Sequence, residues 1–188
     1  MELNQAVLGE VLAWGRTLAY FRPVHATNAV AFVQGYLEGV TDAGGERVPG
    51  LGIESQEQFA LFAMDMAWLI WLDEIFDDPK DRTGEALDIE PVIHGIEGEA
   101  RTAAATGFAS LRARFEPYLR PEEDRRRWLD TAACTVRAWH REELLSRGAL
   151  KTSYAEYIEN GVHSTAIPHL LTTASLLHGL RISSRLND

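Results

Sequence analysis

Asp73, Glu74 and Asp77 close a long oily segment, Trp68-Leu69-Ile70-Trp71-Leu72-Asp73-Glu74-Ile75-Phe76-Asp77-Asp78. At about 100° per helical residue, Asp73 and Asp77 share one face, which continues backwards through Leu69, Ile70, Met66 and Phe62. The predicted helix is therefore apolar below and acidic at its end. Five acidic residues and one lysine fall between Asp73 and Asp81. Carboxylates there oppose the negative end of the helix dipole, so a cation should compensate them. Hard divalent ions such as Mg²⁺ take one or two carboxylates from an element and complete their shell with water and phosphate oxygens. Asp73 and Asp77 are the candidate ligands. Glu74 points about 100° round the helix and is a weaker candidate, for a water or an outer contact. A solvated helix end carries such a charge run equally well. The apolar column beneath it, with Phe59, Phe62, Met64, Met66, Trp68 and Trp71, weighs toward a site, although plain core packing accounts for most of those side chains.

The elements that position these groups read as helices. Residues 5–21 carry apolar side chains at three- and four-residue spacings, and Pro23 is expected to end that helix. Thr27 to Val40 is a second apolar segment, followed by a turn-rich stretch through Pro49-Gly50 that reads as a loop. Ser55-Gln56-Glu57-Gln58 has the form of a capping box ahead of a long buried helix, Phe59 to Phe76. Residues 88–116 keep helical spacing, and Pro121 with Glu122, Glu123 and Asp124 opens a helix running to about Leu145. Thr152 or Ser153 can cap a helix from Tyr154 to Glu159. Asn160-Gly161 is expected to interrupt it before Ile167 to Leu180. With no bounded apolar/polar alternation, the expected fold is all-α, a single domain over residues 1–188.

Composition excludes several classes. Eighteen Lys and Arg against 28 Asp and Glu leave a net charge of −10, a poor match to nucleic acid. The hydrophobic fraction is 46% and the mean hydropathy −0.16. With no apolar run near the ~20 residues of a spanning helix, a cytoplasmic protein without a membrane span is expected. Cys134 is the single cysteine, and His140, His163 and His169 lack zinc spacing.

The segment Asp73-Glu74-x-x-Asp77 resembles the aspartate-rich D-[DE]-x-x-D motif of class I terpene synthases. Val11-Leu12-Ala13-Trp14-Gly15-Arg16, Trp71-Leu72-Asp73-Glu74 and Ser153-Tyr154-Ala155-Glu156-Tyr157-Ile158-Glu159-Asn160-Gly161, with Ser164, are similar to segments of bacterial ent-kaurene-synthase-like diterpene synthases. The resemblance implies an antiparallel helical bundle around an apolar pocket, with three Mg²⁺ ions at its mouth binding an isoprenoid diphosphate of the C20 class. It implies Phe59, Phe62, Met66, Trp71 and Phe76 as lining, and Asn160, Gly161, His163 and Ser164 around an interrupted helix. Gly161 would free backbone carbonyls toward a substrate cation. Aromatic walls offer cation–π stabilisation and exclude water.

Two departures accompany the resemblance. The family's second metal motif, [ND]-D-x-x-[ST]-x-x-x-E, follows an Arg-Leu lead-in, and here Arg185-Leu186-Asn187-Asp188 stops at its first ligand, Asp188. If these residues are the whole molecule, weak or no turnover is expected. The diphosphate-sensing arginine has no match beside Tyr157, which leaves Arg137, Arg141, Arg181 and Arg185 as candidates, each equally a surface salt-bridge residue. The alternatives are a sesquiterpene cyclase on farnesyl diphosphate and a non-catalytic helical binding domain. Oligomeric state is open, a homodimer being the common assembly.

Overall fold

Ser55 starts the helix on which the rest is built. Its Oγ accepts from the Gln58 N–H at 3.1 Å while Gln58 Oε1 accepts from the Ser55 N–H at 3.2 Å, so the capping box forms as expected. The computed structural model describes residues 4–18, 21–38, 40–41, 47–48, 55–77, 89–97 and 103–178. Among them are eight helices: α1 (Gln5–Gly15), α2 (Pro23–Glu38), α3 (Gln56–Asp77), α4 (Glu90–Glu97), α5 (Ala103–Phe115), α6 (Glu122–Ser146), α7 (Tyr154–Ser164) and α8 (Ile167–Leu177). A two-residue antiparallel ladder, β1 (Val40–Thr41) on β2 (Arg47–Val48), flanks the turn-rich stretch. The fold is all-α. None of the helices is long and apolar enough to cross a membrane among the described residues.

The α3 helix is the central element and packs against α1, α2, α5, α6 and α8. Its Trp68 indole donates to the Ala104 carbonyl at 3.1 Å. From there an aromatic series runs inward, Trp68 to Phe108 at 4.9 Å, Phe108 to Trp128 at 4.8 Å and Trp128 to Phe115 at 4.8 Å. Aromatic packing of this kind is worth ~0.5–1.5 kcal/mol per pair beyond area burial. Small residues let the helices close up. A Cβ on Gly95 would lie 2.1 Å from that of Ala105, where α4 meets α5.

Three boundaries differ from the sequence reading. The first helix stops at Gly15, where the chain turns and Phe21 folds back over it. A Cβ at Gly15 would lie 2.1 Å from the Phe21 ring. Pro23 begins α2 instead of ending α1; its missing N–H is one that a first helical turn leaves unpaired in any case. Residues 88–116 form two helices, α4 and α5. Asp78 to Gly84 and everything after His178, including Arg181, Arg185 and Asp188, lie outside the described residues.

Candidate active site at the end of α3

Solvent access along α3 covers only part of the predicted face, because Phe62 and Leu69 are buried. Between Phe59 and Leu72 only Met66 and Ile70 escape full burial. Asp73, Glu74 and Ile75 are then half-exposed, and Asp77 is exposed. At 100° per residue, Met66, Ile70, Asp73 and Asp77 fall within about 60° of arc. The helix thus presents an accessible strip, apolar at Met66 and Ile70 and acidic at its end, while Ile75 opens on the opposite side. Phe59, Phe62, Trp71 and Phe76 are buried in the core cluster around it.

The carboxylates of this strip are not neutralised equally. Burial pushes Asp73 up to about 6, and the neighbouring charges of Asp77 and Glu142 push in the same direction. Glu142 belongs to α6, so the negative field converges from two helices. Glu74 is tied to α2: it pairs with the Arg22 guanidinium and accepts from His25 Nε2 at 2.5 Å. His25 Nδ1 in turn accepts from the Arg22 backbone N–H at 2.9 Å, which fixes the ring. Burial and the adjacent Arg22 charge hold His25 below its usual range. Among the described residues, the donor set left at this end of α3 is hard oxygen, Asp73 and Asp77, with repulsion that a divalent cation would relieve. Among the described residues, no three His, Cys, Asp or Glu side chains form a group able to hold an ion. The fit is therefore to an ion that takes part of its shell from these carboxylates and the rest from water or phosphate, as Mg²⁺ does.

The second half of the expected site reaches α3 through Trp139. Its ring lies 6.2 Å from Phe76, and its indole N–H donates to the Ser164 carbonyl at 2.8 Å. Asn160 Nδ2 donates to the Ala138 carbonyl at 3.1 Å, and His163 is half-buried on the last turn of α7. Asn160, His163 and Ser164 thus lie on the helix that packs against this part of α6.

Gly161 does not interrupt the helix. Ser153 caps α7 with Glu156 in a capping box, and the helix runs unbroken from Tyr154 to Ser164. The ~1 kcal/mol propensity penalty of one glycine is too small to stop a capped helix. The Gly161 carbonyl accepts from the Thr165 N–H at 3.3 Å and the Ser164 hydroxyl at 3.4 Å, so it is not freed. The interruption falls at Thr165 and Ala166, where Ala166 takes the left-handed conformation, φ 57°, before α8. There Val162 O accepts from Thr165 Oγ1 and His163 O from the Ala166 N–H. Arg141 is held by Thr152 at 3.2 Å and lies 3.9 Å from Glu156, while Arg137 is exposed on α6.

Sequence reasoning missed Glu142, Trp139, Arg22 and His25. Each lies outside α3, with Arg22 just ahead of α2 and the others on α2 or α6, and no spacing rule links them to Asp73. A sequence comparison matches residues 66–187 to terpene synthase family 2, C-terminal metal binding. The matched span starts at Met66, on the accessible strip, and covers well over half of the chain. With a helical bundle whose central helix ends in exposed carboxylates, this chain belongs to terpene synthase family 2.

Proposed function

We propose that the protein is a Mg²⁺-dependent class I terpene cyclase that ionises a C20 isoprenoid diphosphate, of copalyl or geranylgeranyl type, and cyclises the resulting carbocation. The observation that carries this reading is the accessible strip of α3 that is apolar at Met66 and Ile70 and acidic at Asp73 and Asp77. When bound, Mg²⁺ supplies the positive charge that lets diphosphate depart. Asp73 and Asp77 would hold it through carboxylate oxygens, and Asp188 is the further ligand that the resemblance implies. Asp73 must give up its proton to do so. Arg22 and His25 keep Glu74 turned toward α2, leaving the other two carboxylates to the mouth. Met66 and Ile70 offer an apolar surface that disfavours water. The C20 preference rests on the similarity of residues 11–16 and 153–161 to bacterial diterpene synthases. The working setting is the cytoplasm.

Incubation with Mg²⁺ and each of geranyl, farnesyl, geranylgeranyl and copalyl diphosphates, followed by hydrocarbon analysis, tests the reading. A cyclic C20 product is expected from the C20 substrates. Product from farnesyl diphosphate alone would make this a sesquiterpene cyclase. No product, together with no Mg²⁺-dependent stabilisation by any diphosphate, would leave a helical binding domain.

A further inference from the structure

A second cluster of polar groups lies deep in the core, away from the carboxylate end of α3. Asp65 on α3 and His169 on α8 are both 0% exposed. His169 Nε2 donates to Asp65 Oδ1 at 3.1 Å, and the Thr173 hydroxyl donates to Asp65 Oδ2 at 2.7 Å. The other ring nitrogen of His169 lies 3.1 Å from Thr131 Oγ1 on α6, and the ring stacks on Trp128 at 5.7 Å. The Trp128 indole donates to Thr173 Oγ1 at 2.9 Å.

One carboxylate therefore grips α8 at two side chains one turn apart, each by its own oxygen. Apolar contacts between helices tolerate small slides, because many side-chain arrangements bury similar area. This grip does not. Moving α8 by one residue shifts it about 1.5 Å and rotates it about 100°, which would break both bonds and bury Asp65 unpaired. Ala166 lies three residues before His169, less than one helical turn away. On the other side of the same joint, Trp139 holds the Ser164 carbonyl.

We infer that Asp65 and His169 are positioning residues, which fix the register of α8 on α3 and so hold the Thr165–Ala166 joint in place beside Trp139. The effect on products rests on the cyclase reading above, whereas the register itself does not. Neither residue touches substrate. Their removal should alter which products form more than whether the protein folds, because carbocation cyclisation follows the contour of its enclosure.

The test uses Asp65→Asn, which keeps the shape but turns one acceptor into a donor, and the double variant Asp65→Leu/His169→Leu, which removes both polar groups together. Hydrogen exchange is read at the Leu170 amide, which donates to the Ala166 carbonyl at 3.0 Å. The expected result is an acceleration of about tenfold there in both variants, with α1 amides unchanged. The fraction of minor terpene products should rise about threefold, with KM little altered. Unchanged exchange at Leu170 in either variant overturns the register claim, and so does acceleration spread evenly over α1. Accelerated exchange with an unchanged product profile overturns the positioning role. If the parent turns over no diphosphate, the cyclase reading fails, and the exchange data still decide whether the clamp sets the register of α8.

Discussion

The Trp139 indole N–H reaches the Ser164 carbonyl at 2.8 Å, joining α6 to the last residue of α7. The same ring faces Phe76 on α3 at 6.2 Å. One side chain thus connects the acidic end of the central helix to the joint before α8. Trp139→Phe keeps the aromatic face and deletes the donor. The expected loss is about 1 kcal/mol, a fall in Tm of roughly 2–4 °C by thermal melting. Product analysis of the same variant should show a changed ratio of products.

Asp73→Asn should trade activity for stability. The ordinary value of an aspartate is 3.8, and Asp73 sits at about 6 in the folded protein. Between those values the native state keeps a proton that the unfolded chain has released. Its contribution to stability is therefore fully present below pH 3.8 and is lost as pH rises through 6. The shift sets a ceiling of ~3 kcal/mol, which solvent screening at this half-exposed site lowers to about 1–2 kcal/mol. The variant should melt roughly 3–6 °C higher than the parent at pH 7.5 and nearly alike at pH 4. Turnover should fall at least about a hundredfold, and stabilisation by added Mg²⁺ should vanish.

Glu142 acts on the same proton from α6. Mg²⁺-induced stabilisation of the parent should weaken as pH drops below about 6, because protons then compete for Asp73. Glu142→Gln removes one repelling charge and should move this acidic limb to lower pH, by a fraction of a unit. Melting curves with and without Mg²⁺ from pH 5 to 8 read the shift directly. An unmoved limb would detach Glu142 from Asp73.

Two glycines make opposite predictions. Gly161→Ala places its Cβ in open space on a continuous helix and should stabilise by about 0.5–1 kcal/mol with activity retained. Gly15→Ala drives a methyl group into the Phe21 ring and should destabilise by about 1–3 kcal/mol. Denaturant midpoints separate the two.

The local features of this fold are written in local sequence. Ser55 with Gln58 and Ser153 with Glu156 mark two helix starts, and the oily run before Asp73 marks the buried central helix with its accessible strip. What depended on distance along the chain was not legible. The Glu74 partnership with Arg22 and His25, and the approach of Glu142 to Asp73, exist only once helices have packed. Gly161 shows the complementary error. Its weak helix propensity was overridden by a strong cap at Ser153, and the joint formed five residues later at Ala166.

The scarcity of open positions on α3 limits how a lineage could retune this enzyme. Nearly every side chain from Phe59 to Leu72 is engaged in holding neighbouring helices, so exchange there endangers the whole molecule. Within that span, Met66 and Ile70 alone reach the open face while still packing on the core. If the proposed function holds, diversification of chemistry through the central helix passes through a two-letter vocabulary, which saturation of those two codons surveys.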